Sequence, residues 1–284
     1  MVRCTLLCLA VFGLILAIPT TPISADEEGN KLKALMEQKT SSIVTVKAIV
    51  RRDMPPMLGG SSEATSEVQG VVVDKTGLIM LSNQPFADQS FGSGPMGMSI
   101  TVTPLSFKVI FENEEREYAA FLATKDEDLN LAFVQIEELG GRELNPVDFG
   151  KAVKADIGQK VVAVSRMGRG YDYAPYFATG RIAGMIKKPR KAMVVDGMMG
   201  AMGLPVFLPS GEVVGVITTV SSGVEDEGDG MDLMAIFSQI AGTPFVVPGK
   251  MVRARIAQAI PEAQRLLEEK RAGEKGDGGK EEEL

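Results

Sequence analysis

The sequence predicts an all-β protein with a short helix at each end. Three observations carry this reading. From Ser42 onward, short runs rich in Val, Ile, Leu and Phe recur at roughly 8–12-residue spacing. Clusters of Gly, Pro, Asp and Ser separate those runs, as turns between strands should. Apolar residues at helical spacing are confined to the two ends. Many short strands in one chain indicate a β-sandwich or a β-barrel.

Leu32, Leu35 and Met36 share one helical face within Asp26–Lys39, which predicts a lead-in helix over residues 26–41. Ser42–Val50 is β-branched and partly alternating, so it reads as a strand. Arg51–Ser66 holds Pro55-Pro56 and Gly59-Gly60 and reads as a surface loop. Val68–Val73 and Leu78–Leu81 flank Asp74-Lys75-Thr76-Gly77 and read as a hairpin. Residues 86–104, rich in Gly, Ser, Met and Pro, read as a long exposed insertion. Further strands are expected at Phe107–Glu112, Tyr118–Ala123, Leu131–Ile136, Val161–Ser165 and Ala178–Met185. Ala192–Val195, Pro205–Leu208 and Val213–Val220 complete the series, with Asn113-Glu114-Glu115 and Pro209-Ser210-Gly211 as turns.

Met251, Val252, Ile256 and Ile260 predict a C-terminal helix over residues 249–272, kinked or restarted at Pro261. Residues 273–284 are mostly Gly, Lys and Glu, have almost nothing to bury, and are expected to be disordered.

The first 25 residues read as a signal peptide. Met1-Val2-Arg3 gives a basic start, Thr5–Ile18 an apolar run, and Ile23-Ser24-Ala25 a small-residue cleavage pattern before Asp26. The run is shorter than the about 20 residues a spanning helix needs, although an uncleaved membrane anchor is the alternative. The expectation is therefore an exported protein, periplasmic or extracellular, cut after Ala25. Cys4 and Cys8 both lie in the leader, so the mature chain would rely on its core alone, without disulfides.

Missing residue types exclude whole chemistries. The chain of 284 residues contains no histidine. Zinc loses its usual ligands, and imidazole-based proton transfer and Cys-His catalysis are excluded. No cofactor is expected. The net charge of −7, and the lack of a basic run interleaved with aromatics, argue against a nucleic-acid partner.

Five segments, in order, resemble the HtrA/Deg-type trypsin-like serine proteases. Ser42-Ile43-Val44-Thr45-Val46 is similar to the opening strand of that family. Residues Gln69 to Asn83, QGVVVDKTGLIMLSN, are similar to its GSGVVVDxxGYILTNNH segment. Asn130-Leu131-Ala132-Phe133-Val134-Gln135-Ile136 resembles DLAVLKI. Residues 157–164 and 179–183 are similar to its IGDxVxAIG and VTxGIVS strands. Gly200-Ala201-Met202-Gly203-Leu204-Pro205-Val206-Phe207, followed by residues 211–216, looks like GNSGGPLVNxxGEVVGV. The resemblance covers about residues 40–222. It implies a chymotrypsin-like double six-stranded antiparallel β-barrel over residues 42–248.

The family's catalysis needs a hydroxyl nucleophile, an imidazole base and a carboxylate to orient the imidazole. Carried over residue by residue, those positions fall on Met202, Gln84 and Asn130. A carboxamide does not take up a proton near neutral pH, and a thioether forms no acyl-enzyme. The oxyanion-hole-like loop would be Gly200, Ala201 and Met202. It is two residues shorter than the family's, counted from Asp196, and it carries Leu204 where the family has a second glycine.

Met198, Met199 and Leu204 cluster at the expected cleft, either as an adaptable peptide surface or as a seal over it. The resemblance thus implies a protease homologue without proteolysis that binds a protein or extended peptide. The alternatives are an active serine-type hydrolase with a non-standard catalytic set and a partner-anchoring module. Residues 223–284 are too short for the family's PDZ domain. Asp226, Asp229 and Asp232 form a weak calcium candidate, set against the ordinary reading of a solvated acidic loop. The sequence leaves the oligomeric state open.

Overall fold

The computed structural model describes residues 25–56, 59–91, 98–112, 114, 116–188, 190–197, 200–219 and 244–277. An N-terminal helix, α1 (Ala25–Thr40), leads into thirteen strands and a C-terminal helix, α2 (Gly249–Asp277). The first barrel uses β1 (Ile43–Asp53), β2 (Ser61–Val72), β3 (Leu78–Ser82), β5 (Met98–Ile110), β6 (Glu117–Asp126) and β7 (Leu131–Ile136). It closes in the order β1-β2-β3-β7-β6-β5, through pairing of β5 with β1. A short β4 (Gln89–Phe91) adds to the outside of β5.

The second barrel uses β8 (Lys160–Arg166), β9 (Pro175–Ile186), β10 (Ala192–Asp196), β11 (Pro205–Phe207), β12 (Val213–Thr219) and β13 (Pro244–Pro248). Its closed order is β10-β13-β12-β11-β8-β9. Two six-stranded antiparallel barrels with terminal helices are the fold that the sequence implied.

The apolar pattern explains how the barrels pack. β3, β7 and most of β8 are buried on both faces, so they read as continuous apolar runs. Side chains alternate across each strand. Ile79, Leu81, Ala132, Val134 and Ile136 fill the first barrel. Val161 and Ala163 fill the second, with Ile182, Val206 and Ile217. The opposite faces of the same strands meet between the barrels: Leu78, Met80, Leu131 and Phe133 share one core with Val162, Val164, Phe207 and Val216. Leu32 and Leu35 of α1 and Val252, Ile256, Ala259 and Ala263 of α2 extend that shared core. Both helices therefore cap the seam between the barrels.

Four differences from the sequence reading have physical causes. Residues 51–66 are not simply a loop, because β1 and β2 continue as a ribbon to Asp53↔Ser61. β5 flanks that ribbon, pairing Arg51 with Thr103 and Asp53 with Thr101. Polar side chains suit this extension because both of its faces meet solvent. The insertion at 86–104 accordingly contributes β4 and the start of β5. β13 escaped notice because Pro244 and Pro248 bracket it, yet proline is tolerated at strand ends. Helix α2 passes through Pro261 without a break and runs to Asp277, beyond the expected end at 272. Residues 1–24, 220–243 and 278–284 lie outside the described residues, with most of the signal peptide, the acidic loop and the tail end. Among the described residues, no helix is long and apolar enough to cross a membrane.

One side chain ties these parts together. Arg166, at the end of β8, is 2% exposed. Its guanidinium donates to the Thr40 carbonyl of α1 at 2.8 Å and to the Ile43 carbonyl of β1 at 2.9 Å. It also reaches the Tyr173 carbonyl at 3.4 Å and pairs with Glu112 at 3.0 Å. A rigid fork of five N–H donors suits four acceptors on four different segments of the chain. Arg166→Ala should cost about 3 kcal/mol, because it strips several carbonyls of their donor and leaves Glu112 without its cation. Urea unfolding of the variant should show a lower midpoint, and Arg166→Lys should recover only a minor part of the loss.

Candidate functional site

A groove runs along the seam between the barrels. Ser66, Glu67, Val68 and Gln69 of β2 line one wall. Ser82 at the end of β3, Gln84 and Pro85 just after it, and Ala201 and Met202 of the second barrel complete its lining. A separate, more enclosed pocket opens beside it, lined by Val195, Gly197, Gly200, Met202, Ile217, Phe245 and Val246. Met202 is common to both, so the groove and the pocket share one wall. The pocket is apolar, with no charged group among its described lining residues.

The structure brings the three carried-over positions to this place. Gln84 and Met202 line the groove from opposite barrels. Gln84 begins a short 3-10 turn with Pro85 and Phe86, and its N–H donates to Ser82 Oγ at 3.2 Å. Asn130 lies one layer behind. Its carbonyl accepts from the Asn83 N–H at 2.9 Å, which fixes it to the residue before Gln84. Its Nδ2 donates to Thr219 Oγ1 at 2.6 Å, which spends the amide on β12.

The turn before Asn130 is held from outside. Asp126 accepts from the Leu129 N–H at 2.7 Å, and Arg255 of α2 contacts Asp126 at 2.7 Å and Asp128 at 3.2 Å. Asn130 itself has a φ of +53°, a left-handed conformation that Asn tolerates better than most residues. Asp126 and Asp128 are thus an arginine clamp. Among the described residues, no group of His, Cys, Asp or Glu is placed to hold a metal ion. The calcium candidates Asp226, Asp229 and Asp232 lie outside the described residues, as do Met198 and Met199 of the cleft.

The loop that carries Met202 is positioned by Gly203. Its φ is +85°, and a Cβ there would lie 2.3 Å from the Ser82 nitrogen and 2.7 Å from the Leu81 carbonyl carbon. Its N–H donates to the Ile217 carbonyl at 2.7 Å. Only glycine permits this approach of the second barrel to β3 of the first. The tight turn is therefore made at Gly203, one residue before the expected place. Leu204 does not line the cleft as expected; it is fully buried in the shared core, because the chain re-enters β11 there. Of the loop residues Gly200, Ala201 and Met202, the last two line the groove and Gly200 lines the neighbouring pocket.

Sequence reasoning missed the β2 wall. Gln69 was read only as the start of a similar segment, yet its side chain joins the barrels beside the groove. Its Oε1 accepts from Ser165 Oγ at 2.7 Å and from the Arg166 N–H at 3.0 Å, while its Nε2 donates to the Arg166 carbonyl. Glu67 is the only titratable side chain among the described groove residues. Its carboxylate accepts from Tyr173 Oη at 3.3 Å. Burial first, then the nearby Glu67 charge, pushes the Tyr173 phenol above its ordinary pKa. The alternation of polar residues along Ser62–Gln69 was the available signal for a strand wall.

Gly203→Ala and Gly211→Ala separate backbone strain from contact. Both glycines have φ near +90°, but a Cβ at Gly211 would meet only side-chain atoms at 3.6 Å. Gly211→Ala should cost about 1 kcal/mol from the left-handed conformation alone. Gly203→Ala should cost on the order of 3 kcal/mol, since main-chain atoms of β3 cannot give way. Thermal unfolding of the pair reads the difference.

Comparison with known proteins agrees with this geometry. The family profile described as a trypsin-like peptidase domain matches residues 68–216, just over half of the chain. Among solved structures, the chain is similar to the crystal structure of Deg5, with a TM-score of 0.52 and 22% identity. That likeness covers 80% of this chain and 93% of the Deg5 chain, and at this identity it speaks to the fold alone. No curated protein matches the chain by sequence. With a matching profile over most of both barrels and the same double-barrel architecture, the chain belongs to the trypsin-like peptidase domain family.

Proposed function

We infer that this protein is a proteolytically inactive member of its family that acts by binding an extended peptide or protein segment outside the cytoplasm. The observation that carries this reading is what lines the groove at the carried-over base and nucleophile positions: Gln84 from the first barrel and Met202 from the second. Acyl transfer at these positions would need a base and a nucleophile, and neither group supplies one. The whole chain holds no histidine to serve from elsewhere. Among the described groove residues, Ser82 and Ser66 are the hydroxyls, with Glu67 the sole ionisable neighbour and no lysine beside them. Loss of nucleophile and base together removes on the order of 10⁶ in turnover from a serine protease.

Binding needs less. The groove keeps a mostly polar strand wall and, beside it, a pocket lined by apolar side chains, which together suit an extended backbone with one inserted side chain. Export follows from the leader over residues 1–25, with cleavage after Ala25 and a periplasmic or extracellular destination. The partner class is a protein or peptide, without nucleic acid or cofactor.

The test is hydrolysis of denatured casein by purified residues 26–284, beside an active HtrA-type enzyme and a blank preparation. Activity equal to the blank is expected, both for this protein and for Met202→Ser, which restores a hydroxyl without a base. Fluorophosphonate labelling should likewise leave the protein unmodified. Turnover that survives purification and vanishes with a substitution in the groove would overturn the reading.

A further inference from the structure

The groove wall and its charge specify the ligand further than peptide binding alone. β2 pairs with β1 along its whole length, Ser61 to Val71, but with β3 only from Gly70 to Val72. Its second edge over residues 61–69 therefore carries no strand among the described residues, and 66–69 of that edge face the groove. An extended peptide entering the groove can hydrogen-bond to this edge as an added strand. In such a pairing each peptide residue lies opposite one β2 residue, with Cβ atoms about 5 Å apart on the same face.

The residue that waits on that face is Glu67. Across the sheet it stands in register with Lys47 of β1, which stands in register with Lys108 of β5. The two lysines do not satisfy it. Lys47 contacts Glu117 at 3.1 Å and Lys108 contacts the other Glu117 oxygen at 2.6 Å. Those contacts, both Lys108 before Lys47, hold the Glu117 carboxyl below its ordinary pKa. Glu67 is exposed and makes no ion pair among the described residues; it only accepts from the Tyr173 phenol at 3.3 Å. The row Lys108, Lys47, Glu67 is thus open at its acidic end.

We propose that the ligand is an extended peptide with a Lys or Arg opposite Glu67 and an apolar side chain in the neighbouring pocket walled by Met202. This rests on the peptide-binding reading above. Each part answers a different surface. The cation completes an opposite-charge cross-strand pair at the open end of the row. The apolar residue enters a pocket whose described side chains, those of Val195, Met202, Ile217, Phe245 and Val246, are apolar and include no counter-charge. Because Met202 borders both places, the two side chains sit only a few residues apart, at about 3.3 Å of strand per residue.

The experiment uses purified residues 26–284 and fluorescein-labelled peptides, each with one Leu and one Lys, Gln or Glu at spacings of about one to five residues in either direction. Anisotropy gives Kd for the protein, Glu67→Gln and Glu67→Lys. At one spacing the Lys peptide should bind roughly two- to fivefold tighter than the Gln peptide, the range of an exposed ion pair, with the gap narrowing in high salt. Glu67→Gln should abolish the preference, and Glu67→Lys should reverse it in favour of the Glu peptide, with the Gln peptide unchanged. Peptides that bind equally whatever their charge, or a preference that survives Glu67→Lys, would overturn this proposal while leaving peptide binding intact. No binding by any peptide would overturn both.

Discussion

The structure depends on a single constraint: two closed barrels must be held at a fixed approach along a seam that is half apolar and half polar. The apolar half is the shared core of Met80, Phe133, Val164 and Phe207. Apolar contact is strong but has little direction, and packing alone would let the barrels slide or roll. Direction comes from Arg166, whose fork is spent on α1, on β1, on Glu112 beyond β5 and on its own loop. Gln69 repeats the device from the other barrel, with both ends of its amide bound to the main chain and hydroxyl of β8. Arg166 ends β8, Gln69 reaches that end from within β2, and both are polar because main-chain groups at strand ends need partners.

The groove follows from that approach. Gly203 sets how near the Met202 loop comes to β3, and the distance leaves no room for any side chain there. Asn130 and Thr219 hold the layer behind, and Arg255 on α2 secures the turn that presents Asn130. The result is a rigid scaffold around positions that carry no acid or base. That frame keeps a groove with a strand edge along one side.

Much of the fold was legible in the sequence because burial on two faces leaves a plain mark. Runs such as Leu78–Ser82 and Leu131–Ile136 read as strands because each is buried on both sides. Where that mark is absent, the reading failed. The ribbon of β1 and β2 from Arg51 to Thr65 carries mostly polar residues, so it lacks the apolar pattern of a strand. β13 was hidden by its two prolines, although it is the strand that joins β10 to β12 and closes the second barrel. Leu204 was placed by its neighbours in sequence, whereas its burial is decided by the turn at Gly203.

The amino-acid sequence by itself determined the composition of the site and so its chemistry. A chain without histidine holds none in any conformation, and its short apolar runs between turn residues commit it to many short strands. The tertiary structure alone decided what stands together. Glu67 and Tyr173 lie 106 residues apart along the chain and Gln69 and Ser165 lie 96 apart, and no local pattern joins either pair. Their meeting depends on register across β1 and β2 and on the approach of two barrels. Those are properties of long-range packing, which a sequence encodes only as a whole.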